Sequence, residues 1–376
     1  MIPFNKPFYT GKEIEYISQS LDLKKLSGDG DFTKKCSDWI VRNITTKKSL
    51  LTPSCTAALE MSAILTDIQP GDEIIMPSYT FVSTALAFSM RGATPVFVDI
   101  REDTLNIDET LIEEAISKKT KAIVAVHYAG MPCEMDRILS IANTHNLLVI
   151  EDAAHGILSR YKNRQLGSIG DLGCFSFHDT KNIICGEGGA ILINNSKFFD
   201  RAEIIREKGT NRKQFIDGNV DKYTWVDNGS SFLPGEITAA FLLAQLENAI
   251  DITSKRLEIW DQYHHSLDDL ENQDFIRRPI VPKDCQHNAH MYYILLKNNK
   301  VRSDFIHFMK ERGISCVFHY IPLHSSPYGE KLSKIKGSLE ITDRISSNLV
   351  RLPLWPDLGT DVNLVIEGVH DFFKNK

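Results

Sequence analysis

Short apolar runs alternate with amphipathic stretches through the first half of the chain, and this alternation limits the possible folds more than any other feature. Runs such as 122–126 and 148–151 are almost continuously apolar, which is typical of strands that helices cover on both faces. Strands alternating with helices predict an α/β fold built on a mostly parallel sheet. Seven strands are predicted, at residues 48–51, 73–76, 95–99, 122–126, 148–151, 172–176 and 189–193.

The pattern changes after Pro234. Residues 236 to about 270 have helical spacing without Gly or Pro, which predicts a long helical connection. Shorter helices are predicted at 56–65, 108–117 and 303–312, and a further strand at 291–296. Because 376 residues exceed what one small core needs, we predict two domains. The large domain covers residues 1–250, with the seven-stranded sheet, and a smaller α+β domain covers 251–376.

The composition is that of an ordinary globular protein, with 42% hydrophobic and 24% charged residues. A formal net charge of -6 leaves no basic excess to neutralise a nucleic-acid backbone. The first residues lack the apolar core of a signal peptide, and no apolar run is long enough to span a bilayer. We therefore expect a cytoplasmic protein that neither binds nucleic acid nor inserts into a membrane.

Small hydroxyl residues follow the first predicted strand, at the edge where a parallel sheet binds its ligands. Ser54, Cys55 and Thr56 lead into the helix predicted at 56–65. This segment can bind an anion through hydroxyl groups, backbone N–H groups and the positive end of a helix dipole. The alternative is simple helix capping by Ser54 or Thr56, and this signal alone does not separate the two.

An acidic residue ends the fifth predicted strand, where Asp152 is followed three residues later by His155. A carboxylate at this edge can keep the pyridine nitrogen of a cofactor protonated, because a nearby negative charge favours the pyridinium form. The histidine can lie over the ring of such a cofactor. A turn or cap for Asp152 and a purely structural histidine are the alternatives.

The most informative stretch runs from Ser176 to Gly189 and contains Lys181. A lysine just past a strand, in a Ser/Thr-containing loop closed by glycines, suits an amine that bonds covalently to an aldehyde. The alternative is a solvated surface lysine. The apolar strand before it and the Gly-rich turn after it favour a shaped loop over a loose one.

These motifs, in this order and spacing, resemble the DegT/DnrJ/StrS family of sugar aminotransferases over essentially the whole chain. The resemblance includes Gly-Asp-Gly at 28–30, Pro-Ser-Tyr-Thr-Phe-Val-Ser-Thr at 77–84, Glu-Asp-Ala-Ala-His at 151–155 and Gly-Glu-Gly-Gly at 186–189. It implies an aspartate aminotransferase-like fold (fold type I). It also implies pyridoxal 5'-phosphate (PLP) as cofactor and a homodimer with active sites at the subunit interface.

The family's site residues carry over motif by motif. Lys181 is then the catalytic residue, which binds PLP covalently and shuttles protons. Asp152 pairs with the pyridine nitrogen, Phe81 stacks on the ring, and His155 lies near its other face or its phenolic oxygen. The residues expected to hold the phosphate are Ser54, Cys55, Thr56 and Ser176.

One motif departs from the family pattern. Relatives usually donate an Asn from a Gly-x-Asn-x-Arg motif across the dimer interface to the phosphate, whereas this chain has Ser231 at the Asn position and Leu233 at the Arg position. Ser231 can still donate a hydrogen bond, so the contact between subunits stays an expectation. The positive charge of the Arg is absent or comes from elsewhere.

Segments 51–57 and 319–324 look closest to family members that aminate C4 of dTDP-4-dehydro-6-deoxy-D-glucose. His319, Tyr320 and His324 are the expected contacts of the nucleotide sugar. The implied reaction uses L-glutamate and gives dTDP-4-amino-4,6-dideoxy-D-galactose and 2-oxoglutarate, for surface polysaccharides such as enterobacterial common antigen.

Several alternatives stay open at this point. They are a gluco-forming 4-aminotransferase, an aminotransferase for 3-keto sugar nucleotides and a non-catalytic family member. Related sugar dehydratases carry His in place of the covalent lysine, so Lys181 argues against that activity. No metal site is predicted, because His287 and His290 have no further ligand at zinc-site spacing.

Overall fold

The computed structural model describes residues 1–374. Its strands share a short length, of two to seven residues. In chain order they are β1 (Lys48–Thr52), β2 (Glu73–Pro77), β3 (Thr94–Val98), β4 (Thr120–Val126), β5 (Leu148–Asp152), β6 (Arg160–Tyr161), β7 (Arg164–Gln165), β8 (Leu172–Ser176), β9 (Gly189–Ile193), β10 (Ile276–Arg277), β11 (Cys285–Gln286), β12 (Tyr292–Leu296), β13 (Lys334–Ile335) and β14 (Leu349–Leu352).

The largest sheet has eight strands in the order β1-β9-β8-β5-β4-β2-β3-β13. The five neighbouring pairs from β8 to β13 are parallel, while β9 runs antiparallel to both β1 and β8. The predicted α/β class and mostly parallel sheet are therefore confirmed, and all seven predicted strands are present. The predicted count of seven is one too low, because β13 joins the edge beside β3 from far along the chain.

The helices cover both faces of this sheet and surround a smaller one. They are α1 (Glu13–Asp22), α2 (Asp31–Ile44), α3 (Cys55–Leu65), α4 (Val82–Ser89), α5 (Ile112–Ala115), α6 (Met135–His145), α7 (Phe199–Arg206), α8 (Arg212–Ile216), α9 (Glu236–Glu247), α10 (Ala249–Ser266), α11 (Asp268–Asn272), α12 (Asn299–Glu311), α13 (Gly329–Leu332), α14 (Glu340–Asn348) and α15 (Asp361–Phe373), with 3-10 turns at Tyr128–Gly130, Ser196–Phe198 and Leu323–Ser325.

Two helix predictions need correction. Of residues 108–117 only α5 is helical, because Asp108 accepts hydrogen bonds from the N–H and hydroxyl of Thr110 and so forms a local turn that competes with the helix. The predicted helix from 236 to about 270 consists of α9, α10 and α11. The first break is at Asn248, whose side-chain amide donates to the carbonyl of Ala244.

Alternate residues of each central strand enter two different apolar cores. In β4, Ile123 and Ala125 belong to the core on one face of the sheet, while Ala122 and Val124 belong to the core on the other. This arrangement explains the continuous apolar runs in the sequence, since neither face of these strands contacts water. Within residues 1–374, no helix is both long and apolar enough to cross a membrane.

A third core lies around the antiparallel sheet β10-β12-β14 and includes Trp260, Phe305 and Val365. Backbone pairings cross between the predicted domains in three places within residues 1–374. Ile2 pairs with Ile314, β13 pairs with β3, and β11 pairs with β6. The division at residue 250 stays a prediction, and residues 375–376 of the predicted second domain lie outside the described residues.

A buried carboxylate joins the start of α2 to α9. Glu236 accepts hydrogen bonds from the N–H groups of Gly30 (3.0 Å), Phe32 (2.9 Å) and Thr33 (3.2 Å), and from the Thr33 hydroxyl. A Cβ atom on Gly30 would lie 2.4 Å from this carboxylate, which explains the glycine. The first N–H groups of a helix lack intrahelical acceptors and carry partial positive charge, so this carboxylate stabilises α2.

We expect Glu236→Ala to lower the free energy of unfolding by about 2 to 4 kcal/mol, because three buried N–H groups lose their acceptor. Urea unfolding followed by circular dichroism measures the change. Glu114→Ala is a matched control at an exposed position of α5, where we expect less than about 0.5 kcal/mol. Equal unfolding free energies for the two variants would show that the Glu236 carboxylate does not stabilise the fold.

Candidate active site

A cavity of about 790 Å³ lies beyond the carboxyl ends of the central parallel strands, where open α/β sheets bind their ligands. Segments from both predicted domains line it. Ten of the residues predicted from the sequence are among its walls: Ser54, Cys55, Thr56, Phe81, Asp152, His155, Ser176, Lys181, His319 and Tyr320.

Asp152 ends β5 and is held in one orientation. Its Oδ2 accepts a hydrogen bond of 2.6 Å from the Thr84 hydroxyl, and its Oδ1 accepts one of 3.2 Å from the N–H of Ala154. Because Thr84 donates to Asp152, it accepts from Thr80, whose hydroxyl lies 2.8 Å away. These donors fix a carboxylate in the cavity wall, where it can pair with a cationic ring nitrogen.

The neighbouring acid, Glu151, points to the opposite face of β5 and is fully buried. It accepts hydrogen bonds from the N–H groups of Gly167, Ile169 and Gly170 at 2.7–2.8 Å, and from Nε2 of His127 at 2.9 Å. The Nδ1 atom of His127 accepts from a backbone N–H, so the proton is on Nε2. Glu151 therefore anchors the loop between β7 and β8, away from the cavity.

Lys181 lies in the loop between β8 and β9. Its N–H donates to the carbonyl of His178, and the N–H of Cys185 donates to the carbonyl of Phe177, so the loop is folded on itself. Burial lowers the pKa of the Lys181 amine from 10.5 to about 8, against the opposing effects of Cys55 and Asp152. Much of this amine is then neutral near pH 8, as a nucleophile toward an aldehyde must be.

Hydroxyl groups and a helix start form a further part of the cavity wall. Ser54 caps α3 by accepting from the N–H of Ala57, and the hydroxyl of Thr56 lies 2.7 Å from that of Ser83. A Cβ atom on Gly189 would lie 2.4 Å from the backbone of Ser54, so glycine lets this turn pack against β9. Ser54 thus caps the helix and also lines the cavity, where the N-terminus of α3 suits a phosphate group.

His155 is part of a stack of rings. Its ring lies parallel to that of His290, with centroids 4.0 Å apart. Its Nδ1 accepts from the N–H of Ala129 at 3.3 Å, which leaves the proton on Nε2, 3.3 Å from the Tyr320 hydroxyl. Burial, with the positive charges of Lys181 and Arg351, holds the pKa of His155 well below its usual value, so the ring is neutral.

His319 and Tyr320 enter the cavity from the loop before the 3-10 turn Leu323–Ser325. Their rings stack with centroids 3.7 Å apart, and Nδ1 of His319 is hydrogen-bonded to the Tyr128 hydroxyl at 2.7 Å. Burial raises the pKa of Tyr320 and lowers that of His319, so both groups are uncharged at neutral pH. They form a polar but neutral wall.

Among the predicted site residues, His324 and Ser231 lie outside the cavity lining. His324 is absent from the cavity lining. Its Nδ1 is hydrogen-bonded to the Ser78 hydroxyl at 2.8 Å, and this contact fastens the 319–324 loop to the end of β2. Ser231 is exposed in the segment after α8, paired with Glu207 and also outside the lining. Phe81 lines the cavity with 56% of its surface exposed.

Five residues at or beside the cavity were not predicted from the sequence as part of this site: Thr84, Tyr128, Arg256, His290 and Arg351. Thr84 is part of the quoted 77–84 motif, so that motif could have indicated it. The others have no local pattern around them, because they contact the site only through folding. Buried Arg256 donates to the carbonyls of Ala289 and His290 and so fixes the backbone that carries the His290 ring, while Nδ1 of that ring is hydrogen-bonded to Asn182 at 2.9 Å.

His287 and His290 do not form a site together, since His287 packs on Trp260 while His290 stacks on His155. Within residues 1–374, no group of three or more His, Cys, Asp or Glu side chains could hold a metal ion. The cavity instead fits a phosphorylated pyridine aldehyde. It offers a lysine of lowered pKa, a fixed carboxylate, hydroxyl groups at a helix start, and aromatic rings.

Comparison with known proteins agrees with this geometry. The chain is 34% identical to the spore coat polysaccharide biosynthesis protein SpsC of Bacillus subtilis, over 99% of this chain and 97% of that protein. It is 32% identical to GDP-perosamine synthase of Escherichia coli O157:H7, over 100% of this chain and 99% of that protein. The structure of Helicobacter pylori PseC, an aminotransferase involved in the biosynthesis of pseudoaminic acid, matches with a TM-score of 0.91 and 26% identity, over 100% of both chains.

The structural match confirms the predicted aspartate aminotransferase-like fold. A family model describes residues 8–370 as the DegT/DnrJ/EryC1/StrS aminotransferase family. The chain therefore belongs to the DegT/DnrJ/EryC1/StrS family of aminotransferases, which work with pyridoxal phosphate.

Proposed function

We propose that this protein transfers the amino group of L-glutamate to the keto group of a nucleotide-linked sugar. The observation that carries the proposal is that Lys181 and Asp152 line one cavity, the lysine with a lowered pKa and the carboxylate held by two donors. When bound, PLP supplies an aldehyde for the amine and a ring that withdraws electrons from the reacting carbon.

Lys181 has two tasks in this proposal. Its neutral Nζ would hold the cofactor covalently and, once displaced by the donor, would take the proton from the donor's α-carbon and return it to the cofactor. A partly buried amine with a pKa of about 8 can both take up and return that proton near neutral pH. Asp152 keeps the ring nitrogen protonated, because its fixed negative charge favours the pyridinium form.

The remaining walls hold the cofactor in place. The N-terminus of α3, with Ser54, Cys55 and Thr56, and the hydroxyl of Ser176 are the proposed phosphate site. Phe81 and His155 are the proposed contacts of the ring. Burial keeps the thiol of Cys55 protonated, since it raises the pKa well above its usual value, so this residue adds no negative charge beside a phosphate.

The proposal includes a homodimer, in which Ser231 reaches the partner's phosphate site. Ser231 is exposed. The segment before it also exposes apolar side chains that a partner subunit could cover, among them Trp225 with 76% of its surface exposed. Leu233 supplies no charge to this contact. Light scattering should give a mass near twice the 42.5 kDa of one chain, and an active monomer would contradict the dimer.

For the acceptor we propose dTDP-4-dehydro-6-deoxy-D-glucose, giving dTDP-4-amino-4,6-dideoxy-D-galactose. The support is the similarity of segments 51–57 and 319–324 to enzymes of that kind, together with the neutral wall of His319 and Tyr320. GDP-linked sugars are the second candidate, because one relative is a GDP-perosamine synthase. The name of SpsC supports a place in surface polysaccharide synthesis.

We expect Lys181→Ala to abolish turnover, with more than a 1000-fold loss of kcat, while the circular dichroism spectrum stays unchanged. Both the covalent bond to PLP and the proton transfer are lost in this variant. Borohydride reduction followed by mass spectrometry should add PLP to the wild-type chain at Lys181 and not to the variant. Lys118→Ala, at an exposed position, is the matched control and should behave as wild type. Turnover above a trace in Lys181→Ala would refute the assignment.

The pKa of Lys181 predicts a pH dependence for covalent attachment of PLP to the PLP-free protein. Since only the neutral amine reacts, the rate should rise with pH, reach half its maximum near pH 8 and level off above about pH 9. Stopped-flow absorbance measures this rate. A rate that still rises steeply between pH 9.5 and 10.5 would mean that burial does not lower the pKa of this lysine.

A panel of keto sugar nucleotides tests the acceptor. We expect glutamate-dependent amination of dTDP-4-dehydro-6-deoxy-D-glucose at least about 10-fold faster, by kcat/KM, than amination of a GDP-linked 4-keto sugar or a 3-keto sugar nucleotide. A small H3–H4 coupling in the NMR spectrum of the product means an axial amine and the galacto configuration. A large coupling would assign the gluco product instead, and preference for the GDP-linked sugar would replace the proposed nucleotide.

A further inference from the structure

His290 lies between β11 and β12, in the predicted second domain, and contacts the loop that carries Lys181. Its Nδ1 is 2.9 Å from Oδ1 of Asn182, the residue directly after the lysine. Nδ2 of Asn182 donates to the carbonyl of Asn288 at 2.8 Å, which fixes the orientation of the amide. Because an amide oxygen can only accept, Nδ1 of His290 carries a proton and donates the hydrogen bond.

The other contacts of His290 fix its backbone and its ring. Arg256 donates to its carbonyl at 2.7 Å, and its N–H donates to Oδ1 of Asn288 at 3.0 Å. Asn288 also donates to the carbonyl of His155 at 2.7 Å. The rings of His155 and His290 are stacked with centroids 4.0 Å apart. His290 therefore contacts the His155 ring by stacking and the lysine loop by a hydrogen bond.

The hydrogen bond between His290 and Asn182 is buried and keeps one protonation state at neutral pH. Burial, with the positive charges of Lys181 and Arg256, holds the pKa of His290 well below its usual value, so the ring is neutral. The side chains of Asn182, Asn288 and His290 are all buried. Loss of one partner would leave a buried polar group without a hydrogen bond, which costs more than the same loss at the surface.

Other hydrogen bonds fix the lysine loop to itself and to the start of the chain. The N-terminal segment, residues 2–8, crosses one side of the cavity, and its Asn5 donates to the carbonyl of Asp179 at 3.3 Å. Backbone hydrogen bonds fold the loop on itself. The hydrogen bond from His290 differs from these, because it joins the loop to the stack that includes His155, the proposed contact of the cofactor ring.

This connection bears on how Lys181 reaches its target. Its side chain is a flexible four-carbon stem, so the position of its backbone decides where Nζ can go. The reaction requires that Nζ and the ring held beside His155 keep a fixed separation. A displacement of about 1 Å can slow a reaction by about 100-fold. A rigid connection between the loop and the stack should therefore act on the rate of reaction and not on the affinity for substrates.

We propose that His290 and Asn182 are positioning residues, and that the hydrogen bond between them holds the backbone of Lys181 in place relative to the ring of His155. This inference rests on the proposed function, in which Lys181 binds PLP covalently and His155 contacts its ring. It gives neither positioning residue a contact with glutamate or with the keto sugar. It therefore predicts a slower reaction without weaker binding.

Two variants remove the hydrogen bond from either side. His290→Phe keeps an aromatic ring against His155 but has no N–H donor, and Asn182→Ala has no acceptor. We expect each to slow the covalent attachment of PLP to the PLP-free protein by about 10- to 100-fold, at a pH above the pKa of Lys181. Stopped-flow absorbance measures this rate. Its dependence on PLP concentration gives the affinity before attachment, which should change less than about 3-fold.

The donor half-reaction gives a second measurement, in which glutamate bleaches the absorbance of the PLP form. For His290→Phe and Asn182→Ala, the maximal rate of bleaching should fall by about 10- to 100-fold. The glutamate concentration for half-maximal rate should change less than about 3-fold, because neither side chain is a substrate contact. A variant that merely unfolds more easily would show wild-type rates below its melting temperature.

Two comparisons separate the hydrogen bond from general packing. His290→Asn keeps an N–H donor near the position of Nδ1, so its rate of PLP attachment should stay within about 5-fold of wild type. The double variant with His290→Phe and Asn182→Ala loses a contact that each single variant has already lost, so it should be at most about 3-fold slower than either.

Tyr263→Phe is the matched control. It loses a buried hydrogen bond of 2.8 Å from the Tyr263 hydroxyl to the carbonyl of Pro353, in the third core and outside the cavity lining. This variant should melt at a lower temperature while both rates stay unchanged. Slower PLP attachment in Tyr263→Phe, equal to that of His290→Phe, would show that any loss of buried hydrogen bonding has this effect, and would overturn the inference.

Other outcomes also overturn it. If His290→Asn is as slow as His290→Phe, the hydrogen bond is not the contact that matters. Losses that multiply in the double variant would show that the two residues act independently. A higher half-saturating glutamate concentration with an unchanged maximal rate would make them substrate contacts. Should His290→Phe fail to fold, normal attachment of PLP by Asn182→Ala would refute the inference by itself. If the wild-type protein attaches no PLP at Lys181, or is not bleached by glutamate, the proposed function fails instead.

Discussion

Two adjacent carboxylates at the end of β5 connect the core of this protein to its site. Successive side chains of a strand point to opposite faces, so Glu151 and Asp152 cannot serve the same purpose. Glu151 is buried against three N–H groups and His127, where it fixes the loop that leads into β8. Asp152 faces the cavity and is held by Thr84 and the N–H of Ala154. The loop that carries Lys181 follows β8. The distance between Asp152 and Lys181 therefore depends on how Glu151 fixes the loop into β8 and on how Asp152 itself is held.

The electrostatics of the cavity follow from burial. Four rings of the wall, those of His155, His290, His319 and Tyr320, are uncharged at neutral pH, since burial lowers the pKa of the three histidines and raises that of the tyrosine. The same burial lowers the pKa of Lys181 to about 8. A wall of neutral polar groups interacts weakly with the charged species that react, while the few fixed charges act strongly because little water screens them.

Segments distant in the sequence complete this cavity. The N-terminal segment crosses from Ser315 to Gln245, and the 319–324 loop is fastened to the end of β2 through His324 and Ser78. The placement of His324 explains why a histidine beside His319 and Tyr320 in the sequence lies outside the cavity lining. The His324 side chain turns back to hold the loop, whereas His319 and Tyr320 line the cavity. Ser231 has no such contact and stays a prediction for the dimer.

The sequence by itself determined the α/β class, the seven longer strands of the sheet, the family and the group of residues around Lys181 and Asp152, because each depends on local periodicity or on a compact motif. Asp152, His155, Ser176 and Lys181 follow strands whose carboxyl ends meet at one edge, so their meeting could be foreseen. Only the tertiary structure decided the eighth strand, since Lys334–Ile335 is a two-residue strand that pairs only through contact with β3. It also decided the positions of Tyr128, His290 and Arg351. Their roles arise from partners more than 20 residues away in the chain, such as His319, His155 and Phe4, and no local pattern records contacts over such separations.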